Sequence, residues 1–180
     1  MRMDSVQIQN VLTSEECEQI LLETKYGMLP SLTTDGEERI LSDYRGSEQL
    51  RLNKEKYDWL YKRIENIIHK VNDSLFNFDI DGIEDLQLTR YTPNNGGYFK
   101  RHNDIIGKEP ARKITAVIQM SNADEYEGGE LKLQLNEVGT ADKIKGHMVI
   151  FPSYVIHEVT PVTSGTRYTL VIWGIGPKFR

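Results

Sequence analysis

The sequence predicts a mainly β protein with helical support, on three observations. From Leu86 onward the apolar residues recur with a period of two, in short runs separated by Pro and Gly. Before that point they recur by threes and fours. At 180 residues and 38% hydrophobic content, the chain is long enough to close a core without staples. Several short strands with turn signals between them point to a sandwich or a barrel. The expected organisation is one domain, with residues 1–80 as helical support and a possible lid, and 83–177 as the strand-built core.

The first element is a helix opened by Thr13-Ser14-Glu15-Glu16, a capping box in which a hydroxyl accepts from first-turn amides with Glu three residues on. It carries Cys17, Ile20 and Leu21 inward and stops near Gly27. Next comes Pro30 to Leu50, a polar stretch with a short strand expected near Ile40-Leu41. A long polar segment inside a compact domain is either a lid or a variable surface loop. The reading adopted for Ser31 to Leu50, which contains Gly36 and Gly46, is a mobile lid. A second helix is expected from Asn53, because Tyr57, Leu60, Tyr61, Ile64, Ile68, Val71 and Leu75 are spaced by three and four.

Then the period changes. Leu86 to Tyr91 alternates, and Pro93-Asn94-Asn95-Gly96-Gly97 is a turn signal. Lys113–Met120, Leu131–Leu135, Met148–Phe151, Val155–Val159 and Arg167–Trp173 follow as strands.

Composition removes several function classes. Against 27 acidic residues stand 22 basic ones, a net charge of −5, so nucleic acid is not expected as the main partner. A single cysteine excludes an internal disulfide and a Cys-based zinc site. The longest apolar runs are far short of a membrane span. The first residues lack the apolar stretch of a signal peptide. The expectation is a cytoplasmic protein with no membrane partner.

Of the four histidines, His69 lies off the apolar stripe of the second helix and reads as a solvated surface residue, and His147 reads as structural or exposed. His102 and Asp104 differ. At i and i+2 of an extended segment, both side chains share one face and can reach one ion. His157, in a later strand, fits as a third ligand. Two His and one carboxylate form the facial triad of non-haem Fe(II) oxygenases. Ten residues on, Arg167 shares a face with Thr169, Val171 and Trp173. A hairpin centred near Val162 would set His157 and Arg167 opposite each other on adjacent strands. An arginine facing a barrel interior is costly unless an anion meets it, and its planar fork suits a carboxylate.

Taken in order, Tyr91, Gly97, His102-x-Asp104, Glu127-Gly128-Gly129-Glu130-Leu131, Gly146, Phe151-Pro152, His157-x-Val159-x-Pro161-Val162, Gly165-x-Arg167 and Trp173 resemble the 2-oxoglutarate/Fe(II)-dependent dioxygenase superfamily. Within it they are similar to the prolyl 4-hydroxylase-like branch that includes the PKHD-type hydroxylases. The resemblance covers about half the chain. It implies a double-stranded β-helix (jelly roll, cupin-like barrel) with His102, Asp104 and His157 as iron ligands. It implies Arg167 and Tyr91 on the cosubstrate, and Tyr98 and Trp173 near the substrate. Relatives often carry their aromatic one place nearer His102, where this chain has Phe99. Implied with these are Fe(II), 2-oxoglutarate and O2, with ascorbate as an optional reductant. The implied reaction hydroxylates a C–H bond and releases succinate and CO2. A prolyl residue in a peptide or protein is the first substrate reading, and a free amino acid or other small molecule the second. A catalytically silent jelly-roll binding module is the alternative from another class.

Overall fold

The computed structural model describes residues 5–35, 38–40, 43–105, 109–134 and 138–179. In chain order the strands are β1 Val6–Ile8, β2 Leu29–Pro30, β3 Thr33–Asp35, β4 Glu38–Ile40, β5 Glu48–Arg51, β6 Gly82–Ile83, β7 Gln87–Tyr91, β8 Phe99–His102, β9 Ala111–Gln119, β10 Tyr126–Gly128, β11 Leu131–Gln134, β12 Val138–Thr140, β13 Met148–Pro152, β14 Ile156–Val159, β15 Val162–Gly165 and β16 Arg167–Gly176. Two α-helices, α1 Ser14–Leu21 and α2 Asp58–Val71, precede most of them. The larger sheet runs β1-β13-β9-β16-β7-β5-β2, with β6 on β16. The smaller runs β12-β11-β14-β8. All pairings are antiparallel, as in a jelly roll.

The larger sheet is buried on both faces, and its residue alternation shows why. Ile114, Ala116 and Ile118 of β9, Met148 and Ile150 of β13, and Leu170 and Ile172 of β16 pack with the helices. The intervening Val117, Val149 and Phe151 face the other way, into a second core with Leu131, Leu133 and Val159 of the smaller sheet. A strand covered on both sides reads as a near-continuous apolar run rather than clean alternation. The site lies in this second layer, between the sheets.

The N-terminal helix forms as expected. Thr13 caps it, with Glu16 N–H donating to Thr13 Oγ1 and Thr13 N–H to the Glu16 carboxylate. One turn of 3-10 helix then carries the chain to Gly27, whose φ of 94° favours glycine. Its inward residues, Cys17 and Ile20, are fully buried. The second helix starts five residues later than expected. Residues 54–57 form a turn in which Asn53 Oδ1 accepts from Lys56 N–H. Leu60, Tyr61, Ile64 and Ile68 of α2 are buried against the larger sheet, confirming the three-and-four stripe.

Three expectations are corrected. The N-terminal region is not purely helical support, since β1, β2 and β5 extend the larger sheet. Residues 48–50, placed within the lid, are strand, with Glu48 to Arg51 paired with Arg90 to Gln87. The lid residues next to them are tied down too: Gly46 N–H donates to Tyr98 O, and Tyr98 N–H to Gly46 O. The strand expected at Ile40-Leu41 is β4, paired with β3; Leu41 and Gly36 lie outside the described residues. Lastly, His157 and Arg167 are not on adjacent strands. After β14 the chain leaves the smaller sheet, pairs β15 with β10, and enters the larger sheet as β16. The pair therefore faces one interior from opposite sheets, because a jelly roll alternates its sheets where a simple hairpin stays in one.

No helix among the described residues is long and apolar enough to cross a membrane.

Candidate active site

His102 ends β8 and pairs directly with His157 on β14. Their rings lie 4.2 Å apart. Asp104 follows two residues on, held by its N–H to Ser153 O. Its Oδ1 is 3.7 Å from His102 Nε2 and its Oδ2 3.5 Å from His157 Nε2. The donor atoms of the three residues all fall within 4.8 Å of one another, the arrangement of a metal site.

Backbone acceptors set the tautomer of both imidazoles. Nδ1 of His102 lies 2.7 Å from Lys100 O, and Nδ1 of His157 2.9 Å from Val155 O. A carbonyl can only accept, so each Nδ1 carries the proton and each Nε2 turns a lone pair toward Asp104 and the centre. Protonation is suppressed as well. Burial, followed by the neighbouring His157, pushes His102 down from 6.5 to about 4. Burial by itself raises the Asp104 carboxyl. His157, then His102, Trp173 and Arg112 outweigh that and hold it below 3.8. His102 as a neutral imidazole and Asp104 as a carboxylate are thus in the forms that a metal takes.

Asp104 has two further supports that the sequence reading missed. Thr115 Oγ1 donates to Asp104 Oδ2 at 2.8 Å and lies 3.0 Å from Ser153 Oγ. Both hydroxyl residues are fully buried. The signal was present in β9, where Thr115 and Gln119 are polar positions on the face opposite Ile114, Ala116 and Ile118.

Arg167 lies across the pocket on β16, paired with Tyr91 on β7. Its Cζ is 5.4 Å from the Tyr91 ring centroid. The residue is buried, and its Nε has no hydrogen-bond partner. An unsatisfied buried donor on a guanidinium is costly, and an incoming carboxylate is the group that relieves it. The Gly-Gly of Glu127-Gly128-Gly129-Glu130 now has a reason. Gly129, at φ 58°, approaches so closely that a Cβ would sit 2.9 Å from Arg167 Cδ and 2.8 Å from Val162. Beside it, Tyr126 accepts from Gln119 Nε2.

Trp173 and Tyr91 also line the pocket, as expected. Trp173 stacks under Arg112, whose Cζ is 3.6 Å from the ring, and Arg112 makes a two-pronged pair with Glu84. The Trp173 indole N–H is turned toward Asp104 and lowers its pKa, yet falls outside ordinary hydrogen-bond geometry.

Tyr98 is not brought to the site. Its hydroxyl donates to Asp43 O at 2.5 Å, and the pocket instead receives Phe99, stacked 3.5 Å from His102. Parity counted back from His102 fails because β8 bulges. His157 pairs with His102 and Val159 with Phe99, so three steps on one strand match two on the other. The extra residue rotates Phe99 onto the His102 face and Tyr98 off it. Arg45, from the segment before β5, also reaches the pocket and had no signal in the sequence.

Comparison with known proteins agrees with this geometry. The model of the 2OG-Fe(II) oxygenase superfamily matches residues 86–174. A PKHD-type hydroxylase of Teredinibacter turnerae is 37% identical over 86 residues, covering 44% of this chain and 38% of that protein. One of Parvibaculum lavamentivorans is 43% identical over 95 residues, covering 48% and 41%. The chain thus matches about two fifths of the length of these curated relatives. Among solved structures, a Pseudomonas putida prolyl-4-hydroxylase superposes with a TM-score of 0.77 at 19% identity, covering 98% of this chain and 94% of that one. A Trichoplax adhaerens prolyl hydroxylase, solved with a hypoxia inducible factor peptide fragment, gives 0.79 at 22% identity, covering 96% and 83%. At these identities the superpositions speak for the fold. Through residues 86–174, with a jelly roll and a His-Asp-His cluster to match, the chain belongs to the 2OG-Fe(II) oxygenase superfamily.

Proposed function

We propose that this protein is an Fe(II)- and 2-oxoglutarate-dependent hydroxylase acting on a prolyl residue of a peptide or protein. The observation that carries the reading is the pairing of two features in one pocket: the His102, Asp104, His157 cluster and the buried Arg167 with its unpartnered Nε. A silent binding module gains nothing from either, since each is a cost to folding until a ligand meets it.

In this reading His102, Asp104 and His157 hold Fe(II) by Nε2, one carboxylate oxygen and Nε2. A bound Fe(II) supplies O2 activation coupled to decarboxylation of 2-oxoglutarate. The remaining work belongs to the chain. Arg167 takes the far carboxylate of 2-oxoglutarate in its fork, and Tyr91, beneath the guanidinium, limits where it can move. Thr115 keeps one Asp104 oxygen engaged. Val117, Leu131, Val159 and Val171 wall the pocket with apolar surface and exclude water. Trp173 and Phe99 flank the cluster on the side left for substrate.

The prolyl assignment is supported by the two solved prolyl hydroxylases that share this fold. The test is succinate release with Fe(II), 2-oxoglutarate and a panel of proline-containing peptides, followed by mass analysis for an added oxygen atom. Succinate and a hydroxylated peptide in equal amounts support the proposal. Succinate with no hydroxylated peptide in the panel removes the prolyl assignment, and no succinate removes the activity.

A further inference from the structure

We propose that Arg45 is a substrate-binding residue, and that the substrate carries a carboxylate beside the carbon to be hydroxylated. This rests on the hydroxylase reading above and narrows its substrate class. Arg45 is half-buried and lines the same pocket as the metal cluster. Its backbone is bridged to Phe99, which fixes where the side chain starts. The guanidinium lies 4.6 Å over the Phe99 ring, and that ring stacks 3.5 Å from His102. Nε donates to Ser47 Oγ at 2.7 Å, so the plane of the guanidinium is held. Among the described residues no carboxylate forms an ion pair with Arg45, although other arginines here have one, Arg63 with Glu16, Arg90 with Glu48 and Arg112 with Glu84.

The charge arithmetic of the pocket points the same way. Among the described residues its charged lining is Arg45, Asp104 and Arg167. Fe(II) brings two positive charges and 2-oxoglutarate two negative ones, so these cancel. One negative and two positive side chains then remain, an excess of one positive charge. Arg167 is consumed by the cosubstrate, and the excess resides at Arg45, on the Phe99 side. In a pocket with apolar walls an anionic group on the substrate is the complement. Two sources share that chemistry: the α-carboxylate of a free amino acid and an acidic side chain next to the target in a peptide.

The experiment compares matched probes that differ only in that charge. One pair is L-proline and L-prolinamide. The other is an acetylated, amidated peptide with Glu beside Pro, and the same peptide with Gln. Succinate-coupled hydroxylation of each is measured for the wild type, Arg45→Met and Arg45→Lys. A hydrogen bond to a charged group corresponds to a preference of about 10- to 100-fold. The wild type is expected to prefer the carboxylate member of one pair by that factor, through a lower KM. The pair that shows it identifies the source. Arg45→Met should bring the two members to near equality, and Arg45→Lys should keep part of the preference, having charge without the fork. The ratio is internal to each variant, so a poorly folded variant lowers both rates and leaves it intact. Equal use of both members by the wild type, an unchanged preference in Arg45→Met, or succinate production with neither carboxylate probe hydroxylated would each overturn the inference. Failure of the parent reading looks different: 2-oxoglutarate neither binds nor yields succinate with any probe, and this inference falls with it.

Discussion

Asp104 shows at the scale of one residue how the fold pays for a ligand. A buried carboxylate is expensive, and this one is met by a hydrogen bond from the Thr115 hydroxyl. Thr115→Val should therefore weaken Fe(II) or Mn(II) binding by about 10- to 100-fold, the usual effect of losing a group that orients a metal ligand. Metal titration of the folded variant checks this, and wild-type affinity would show that the hydroxyl is dispensable. His102 makes a pH prediction for the metal-free protein. Its folded pKa is about 4 against an ordinary 6.5. Below 6.5 the unfolded chain takes up a proton that the folded one refuses, so stability fades as pH falls through that window. Melting temperature against pH should slope downward there in the wild type and be flatter in His102→Gln; parallel curves would contradict the assignment. Residue identity was the most legible level. His102, Asp104, His157 and Arg167 stood out because metal ligands and a buried cation need particular side chains. Arg45 and Thr115 did not, since a lone arginine in a polar segment or a threonine in a strand has many ordinary uses.

Elements were legible where periodicity was unbroken and misread where it was interrupted. The stripe of α2 and the alternation of β11 follow from one buried face each, and both appear. The bulge in β8 leaves no mark in the sequence, and it reverses the roles of Tyr98 and Phe99. The lid reading missed the pairing of residues 44–50 for a related reason. Polar composition does not reveal hydrogen bonding to a neighbouring strand, and Tyr44, Gly46 and Ser47 accept or donate to Lys100, Tyr98 and Ser31 through their backbones. Gly46 permits the close approach of this segment to the turn after β7, as a Cβ there would clash with Asn95 O. Gly46→Ala should detach the segment. Hydrogen exchange at residues 45–47 and 98–100 is expected to rise, with little change in α2. Unaltered protection at Tyr98 and Lys100 would mean that the segment is held by something else.

Taken as a whole, the molecule is two cores sharing one sheet. One joins the helices to the larger sheet and the other joins the larger sheet to the smaller, so the site hangs on a wall braced from behind. The brace is testable. Ile64, fully buried on α2, belongs to the helix-side core and not to the one around the site, and Ile64→Ala should cost roughly 2–5 kcal/mol of stability. Denaturant unfolding measures it, and a loss under about 1 kcal/mol would mean that the helices contribute little packing. The overall class was readable because patterning sets it. The crossing between sheets after β14 was not, because a turn signal marks where a chain bends and not which sheet it joins. That crossing is what brings Arg167 to face the His-Asp-His cluster from the opposite wall. The most direct measurement is therefore a 2-oxoglutarate titration at fixed metal, in the wild type and in Arg167→Ala. Losing one partner of a buried charge pair costs roughly 2–5 kcal/mol. The wild type should bind in a metal-dependent manner, and Arg167→Ala should bind about 30-fold to a few thousand-fold more weakly with metal affinity nearly unchanged. Equal affinities in the two proteins would contradict the account.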